Sequence, residues 1–160
     1  MDVVTVAEKL EPVTCAKGLR VLADTTWDEV EPFDVLVYPG GQGTRRQLGD
    51  ERIRERLRAV AGSGVLMTSV CTGSLVYADS GLLKRLPATT HWAALDELRE
   101  LDPSIEIRPD DRWVDTGTRI TAAGVSAGID MALHLIARLH SRERAAEVRR
   151  YIQYNPQPPV

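Results

Sequence analysis

Cysteine is scarce in this chain of 160 residues: only Cys15 and Cys71, 56 positions apart. Without an export signal that pattern reads as two free thiols in a reducing compartment, not as a disulfide framework. Neither Cys-x-x-Cys nor His-Glu-x-x-His occurs, so the spacings of the common zinc sites are missing and no metal is expected. No apolar run reaches 18 residues, which excludes a hydropathy-defined membrane helix. The first residues, Met-Asp-Val-Val-Thr-Val-Ala-Glu, carry an acid where a signal peptide wants bases. The cytoplasm is the expected location. A net charge of -3 gives no electrostatic reason to expect nucleic acid or an anionic membrane as partner. The Gly41-x-Gly43-x-x-Arg46 stretch lacks the third glycine of a dinucleotide fingerprint, and no phosphate-loop Gly-Lys-Ser/Thr follows it. A phosphate loop is therefore not expected.

What remains is ordinary for a globular chain, with 43% hydrophobic and 27% charged residues, enough for one domain over 1–160 with a real core. Val3 to Val6 predicts an opening strand, and Cys15 to Ala23 a small hairpin around Gly18. Phe33 to Tyr38 has a buried-strand pattern stopped by Pro39-Gly40-Gly41. Asp50 is placed to cap a helix bearing Ile53, Leu57, Val60 and Ala61 on one face, ended by Gly62 and Gly64. A strand over Val65 to Val70 follows, then a helix from Thr72 to about Ser80 with Gly81 just beyond its end. Ala88 to Thr90 reads as extended, and Trp92, Leu95, Leu98 and Leu101 as one face of the next helix. Three short strands are expected at Ile105–Ile107, Trp113–Val114 and Arg119–Ala122. The helix from Ser126 is apolar on nearly every side and is expected to be largely buried. Ser141 caps a last helix through Ile152, and Pro156, Pro158 and Pro159 close the chain. Strands alternating with helices argue for an α/β sandwich on a mostly parallel sheet.

In such sheets functional loops lie beyond the carboxyl ends of the strands. Three candidates collect there: Gly40-Gly41, Cys71 and His91. Ser69-x-Cys71-x-Gly73 is small-x-nucleophile-x-small, the pattern of a nucleophile elbow, where the chain turns from strand to helix so sharply that only small neighbours fit. At the first turn of a helix, free N–H groups favour the reactive thiolate. A buried structural cysteine is the competing reading, since free cysteine is among the most buried residue types. One N–H of Gly40-Gly41, with that of Thr72, would form an oxyanion hole; read without function, the same residues are a turn after a strand. His91, 20 residues after Cys71, is either a general base for the thiol or a satisfied structural histidine. Cys15 has no such setting and reads as inert. The arginines between Arg45 and Arg58 interleave with Asp50, Glu51 and Glu55 and read as a solvated helix face.

Tyr38-Pro-Gly-Gly-Gln-Gly43, Thr68-Ser-Val-Cys-Thr-Gly-Ser74, Ala88-Thr-Thr-His-Trp92, Ala123-Gly-Val-Ser-Ala-Gly-Ile-Asp-Met131 and Tyr154-Asn-Pro-Gln-Pro-Pro159 together resemble the DJ-1/PfpI superfamily, in its isocyanide hydratase-like branch. The resemblance implies a flavodoxin-like three-layer sandwich, usually dimeric. It implies Cys71 as nucleophile, Gly41 and Thr72 around the substrate beside the Gly40 of the same loop, and His91 near the cysteine. It implies hydration of a small molecule, an isocyanide becoming an N-substituted formamide, without a cofactor. Asp130 matches a family position and reads more simply as an acid complementing a helix dipole. The family pattern also has a strand and helix ahead of what is Met1 here, with an acid that hydrogen-bonds the cysteine. No residue of this chain matches that acid, and the expectation is a start lying upstream; a strand supplied from elsewhere and a decaying, inactive paralogue are the alternatives. A ligand-sensing domain without turnover is the second functional reading. Glyoxalase, deglycase or protease-like activity is a third, disfavoured because protease-like members tend to carry histidine where this chain has Thr72. A glutamine amidotransferase is less favoured still, for want of a His-x-Glu at His91-Trp92-Ala93.

Overall fold

The computed structural model describes residues 2–155. Pro156, Pro158 and Pro159, expected to close the chain, lie outside the described residues. The chain divides into two compact units, residues 1–34 and 35–160.

The first unit is built of two-residue strands. β1 (Val6–Ala7) pairs in parallel with β4 (Thr25–Thr26). β2 (Val13–Thr14) and β3 (Arg20–Val21) form the expected hairpin, whose turn is closed by the Cys15 N–H on Leu19 O at 2.8 Å. The opening strand is displaced from its expected position. Val3 and Val4 are exposed, and the ladder starts only at Val6, the first residue with a partner across β4. Asp24 fastens the unit: its carboxylate accepts from the Thr5 N–H at 2.8 Å and the Thr5 hydroxyl at 2.6 Å, which lowers its pKa.

The second unit carries a four-stranded sheet. β5 (Val35–Tyr38), β6 (Leu66–Val70) and β10 (Arg119–Ala122) run parallel, and β9 (Trp113–Asp115) joins antiparallel at the edge beside β10. β6 lies between two parallel partners and is buried on both faces, as its continuous Leu-Met-Thr-Ser-Val run demands. Its residues divide between two cores. Met67 joins Leu57 of α1 (Glu51–Gly62), Leu75 and Tyr77 of α2 (Gly73–Asp79) and Leu98 of α3 (Leu95–Leu101). Leu66 joins Ile120 with Met131 and Leu135 of α4 (Ala127–Leu139) on the opposite face. Helix, sheet and helix thus form the three layers. A separate parallel pair, β7 (Pro87–Ala88) with β8 (Glu106–Ile107), completes the strands.

Local signals place the helix ends well. Asp50 caps α1 by accepting from the Arg52 N–H at 3.0 Å, and Gly81 follows α2 at φ 75°. Ser141 caps α5 (Arg142–Tyr151), its Oγ accepting from the Arg144 N–H at 3.1 Å. Two expectations are corrected. Trp92 does not share the buried face of α3; it sits in a short 3₁₀ turn (Trp92–Ala94) and is 76% exposed. The helix from Ser126 is not largely buried either. Only Ala127, Met131 and Leu135, one stripe at spacing four, are buried, while Ile129 and Leu139 remain more than a third exposed. An apolar circumference becomes core only where another layer covers it, and α5, which packs on α4, has no buried residue itself.

Candidate active site

Cys71 leaves the carboxyl end of β6 with φ 55°, in the left-handed region that non-glycine residues seldom occupy. Such a conformation costs about 1–3 kcal/mol and persists only where the surroundings over-determine it. The surroundings do so here. The Cys71 N–H donates to the carbonyls of Ala122 (3.0 Å) and Ala123 (3.2 Å), and its carbonyl accepts from the hydroxyls of Ser74 (3.1 Å) and Thr90 (2.9 Å). The small neighbours are sterically required. A Cβ on Gly73 would overlap the Tyr38 carbonyl, and one on Gly40 would lie 2.7 Å from the Cys71 Cβ. The strand-to-helix elbow is therefore present in backbone geometry. Cys71 is half-buried at the turn, whereas Cys15 is exposed.

The loop after β5 is tied to the elbow by hydroxyls. The Gly41 N–H donates to Thr72 Oγ1 at 2.9 Å, and the Thr72 hydroxyl is 3.1 Å from the Gly41 carbonyl. Thr44, buried in the 3₁₀ turn Gln42–Arg46, donates to that carbonyl at 2.8 Å and lies 3.2 Å from Thr72 Oγ1. Of the two glycine N–H groups expected to offer one to an oxyanion hole, that of Gly41 is therefore not free but bonded to the Thr72 hydroxyl. A Cβ at Gly40 would also lie 2.9 Å from the Thr72 backbone nitrogen, so this glycine too is required by the close approach of loop and elbow.

His91 caps the 3₁₀ turn that follows β7. Its Nδ1 accepts from the Ala93 N–H at 3.2 Å, so the neutral ring carries its proton on Nε2. The ring lies against Trp92, with centroids 5.4 Å apart, and presses on Gly124, where a Cβ would overlap it. Among the described residues no hydrogen bond joins His91 to the Cys71 sulfur. The structure brings Gly40, Gly41, Cys71 and Thr72 into mutual contact and sets His91 one residue from Thr90, the hydroxyl that holds the Cys71 carbonyl.

Sequence reasoning missed Thr44 and Thr90. Thr90 falls inside the Ala88–Trp92 stretch and was legible as extended backbone, not as the anchor of Cys71. Thr44 carries no pattern at all; only the tertiary approach of the loop to Thr72 reveals it. His134 and Asp130 belong to structural pairs. His134 Nε2 lies 2.7 Å from Asp115, whose carboxylate also receives Arg138, and Asp130 receives Arg112. Among the described residues no group of three or more His, Cys, Asp or Glu is arranged to hold a metal.

The fold is an α/β sandwich on a mostly parallel sheet, with a left-handed cysteine at the sharp turn that follows its interior strand β6. The chain belongs to the DJ-1/PfpI family, whose pattern matches residues 1–138, and its architecture is the flavodoxin-like one of that family's solved members. It is 40% identical over 150 residues to an isonitrile hydratase of Pseudomonas putida, covering 94% of this chain and 64% of that protein. It is 34% identical over 137 residues to the HTH-type transcriptional regulator CdhR of Pseudomonas aeruginosa, covering 86% of this chain and 40% of the regulator. The crystal structure of a THiJ/PfpI family protein from Pseudomonas syringae superposes with a TM-score of 0.88 at 33% identity, over 99% of this chain and 65% of that one. The chain thus spans less than two thirds of the length of these relatives.

Proposed function

We propose that the protein is a cysteine-dependent hydratase that converts a small isocyanide to an N-substituted formamide. The Cys71 thiolate attacks the terminal carbon of R–N≡C, and a proton delivered to the adduct leaves a thioimidate. Water adds to that carbon, the C–S bond breaks, and R–NH–CHO leaves with the thiolate restored. His91 serves as the proton-handling group near Cys71, and Gly40, Gly41 and Thr72 line the substrate. No metal or cofactor enters this balance. The observation that carries the reading is the left-handed Cys71 elbow in a chain 40% identical to an isonitrile hydratase. We place the enzyme in the cytoplasm as a homodimer, without nucleic-acid or membrane partners.

The test is formamide production from an aryl isocyanide, followed by mass spectrometry. Wild-type protein is expected to turn over, and Cys71→Ala to lose the activity by at least about a hundredfold, the scale of removing an essential catalytic group. Wild type without turnover sinks the reading. The second reading, ligand sensing without chemistry, draws on the 34% identity to a transcriptional regulator. It predicts ligand binding that Cys71→Ala leaves unchanged.

A further inference from the structure

We propose that Arg112 is a positioning residue for the elbow: it clamps the first turn of α4 so that Gly124 stays against the His91 ring beside Cys71. Arg112 precedes β9, and it holds the segment after β10 from both ends. Its backbone carbonyl accepts the Ala123 N–H at 2.9 Å. Its guanidinium Nε donates to Asp130 Oδ2 at 2.5 Å, and its Nη2 reaches both that carboxylate oxygen and Ser126 Oγ, the latter at 3.1 Å. The Asp130 carboxylate, foremost, raises the Arg112 pKa.

Between these anchors lie Gly124 and Val125. Val125 has φ 45°, a conformation that a β-branched residue adopts only under constraint, and it is 81% exposed, so burial of its side chain does not supply that constraint. Gly124 is the residue packed on the His91 ring. Just before it, the carbonyls of Ala122 and Ala123 receive the Cys71 N–H. Arg112 therefore brackets a two-residue link, its main-chain carbonyl at the near end, beside the backbone that holds Cys71, and its guanidinium at the far end, with the residue packed on the imidazole between them. An ion pair kept for stability alone does not need the further guanidinium contact to Ser126. Asp130, whose side chain is 13% exposed against 48% for Arg112, is the better-covered member of the pair.

The inference rests on Cys71 and His91 as the reacting pair, but its test does not depend on turnover. The full chain carries Arg112→Met, Arg112→Lys or Asp130→Asn, with Arg54→Met as a matched loss of an arginine–carboxylate clamp elsewhere. Two quantities are read: the nuclear Overhauser contact between the His91 ring and the Gly124 Hα, and the rate of iodoacetamide alkylation at Cys71. The clamp predicts loss of the contact and a change of about tenfold in alkylation in Arg112→Met, the scale expected when a catalytic group is misplaced by a fraction of an ångström. Arg112→Lys, which keeps the Asp130 pair, restores part of both; Arg54→Met moves neither. Should Arg112→Met not fold, Asp130→Asn gives the same readings. An intact His91–Gly124 contact in the Arg112 and Asp130 variants, with alkylation within about twofold of wild type, overturns the proposal. If wild-type Cys71 alkylates no faster than Cys15, the reading of Cys71 as nucleophile fails, while the Overhauser contact still decides the role of Arg112.

Discussion

At the scale of single residues, the elbow is governed by space. Gly73 begins α2 where any side chain would enter the Tyr38 carbonyl, a backbone atom of β5 that cannot swing away. Gly73→Ala is therefore expected to destabilise the protein by about 1–3 kcal/mol, the usual cost of overpacking. Chemical denaturation checks this: the midpoint falls, and Cys71 alkylation changes with it because the turn itself moves. The Ser69-x-Cys71-x-Gly73 spacing revealed this much in advance, since small residues flanking so sharp a strand-to-helix turn are a local requirement. Thr44 and Thr90 were not legible because the partners that bring them to the elbow, Thr72 and Cys71, lie 28 and 19 residues away in the chain. Local patterns carry no information about such distant hydroxyl bonds.

At the scale of elements, α1 and α2 are joined by a clamp that periodicity does not reveal. Arg54 grips Asp79 with two hydrogen bonds, 2.9 and 2.6 Å, and the Gly49 N–H adds a third to the same carboxylate at 3.0 Å. The Arg54 hydrogen bonds, foremost, lower the Asp79 pKa, and Asp79 in turn raises that of Arg54. A depressed carboxylate contributes stability that is present above the unfolded value near 3.8 and is lost as pH falls through the lower folded value. Asp79→Asn is expected to cost about 1–3 kcal/mol at pH 7, for loss of charged hydrogen bonds at a side chain only 8% exposed. The gap between wild type and variant should narrow as the pH is lowered toward 2. Thermal melts across that range check the sign; a gap that widens in acid would contradict it. The helix positions and caps were readable from Asp50, Gly81 and Ser141. The depth to which α4 is covered was not, because apolar residues around a helix do not say which neighbours arrive.

At the scale of the whole molecule, the two units differ in how much they bury. None of residues 2–34 is fully buried, and Val3, Leu10, Val13, Leu19 and Leu22 stand more than half exposed, whereas Met67, Leu75, Val76 and Ile120 are wholly enclosed. Segments with few buried apolar contacts open with low free energy. Native-state hydrogen exchange should show the amides of β1 to β4 exchanging orders of magnitude faster than those of β6. Equal protection across both units would refute that ranking. The alternating strand–helix pattern disclosed the parallel sandwich, but the short ladders of residues 2–34 have too few residues for any period to register.

One enclosed side chain also makes the fold visible to ultraviolet light. Tyr77 lies in α2 beside Tyr38 and donates its hydroxyl to the Thr68 carbonyl at 2.8 Å, three residues before Cys71. Burial pushes its phenol well above the ordinary tyrosine range. The folded state therefore keeps this proton where the unfolded chain gives it up, so stability falls as pH rises past about 10. Of the four tyrosines, this one should stay colourless at 295 nm under alkali until the sheet gives way. The late rise in phenolate absorbance would then report the moment β6 lets go of the elbow.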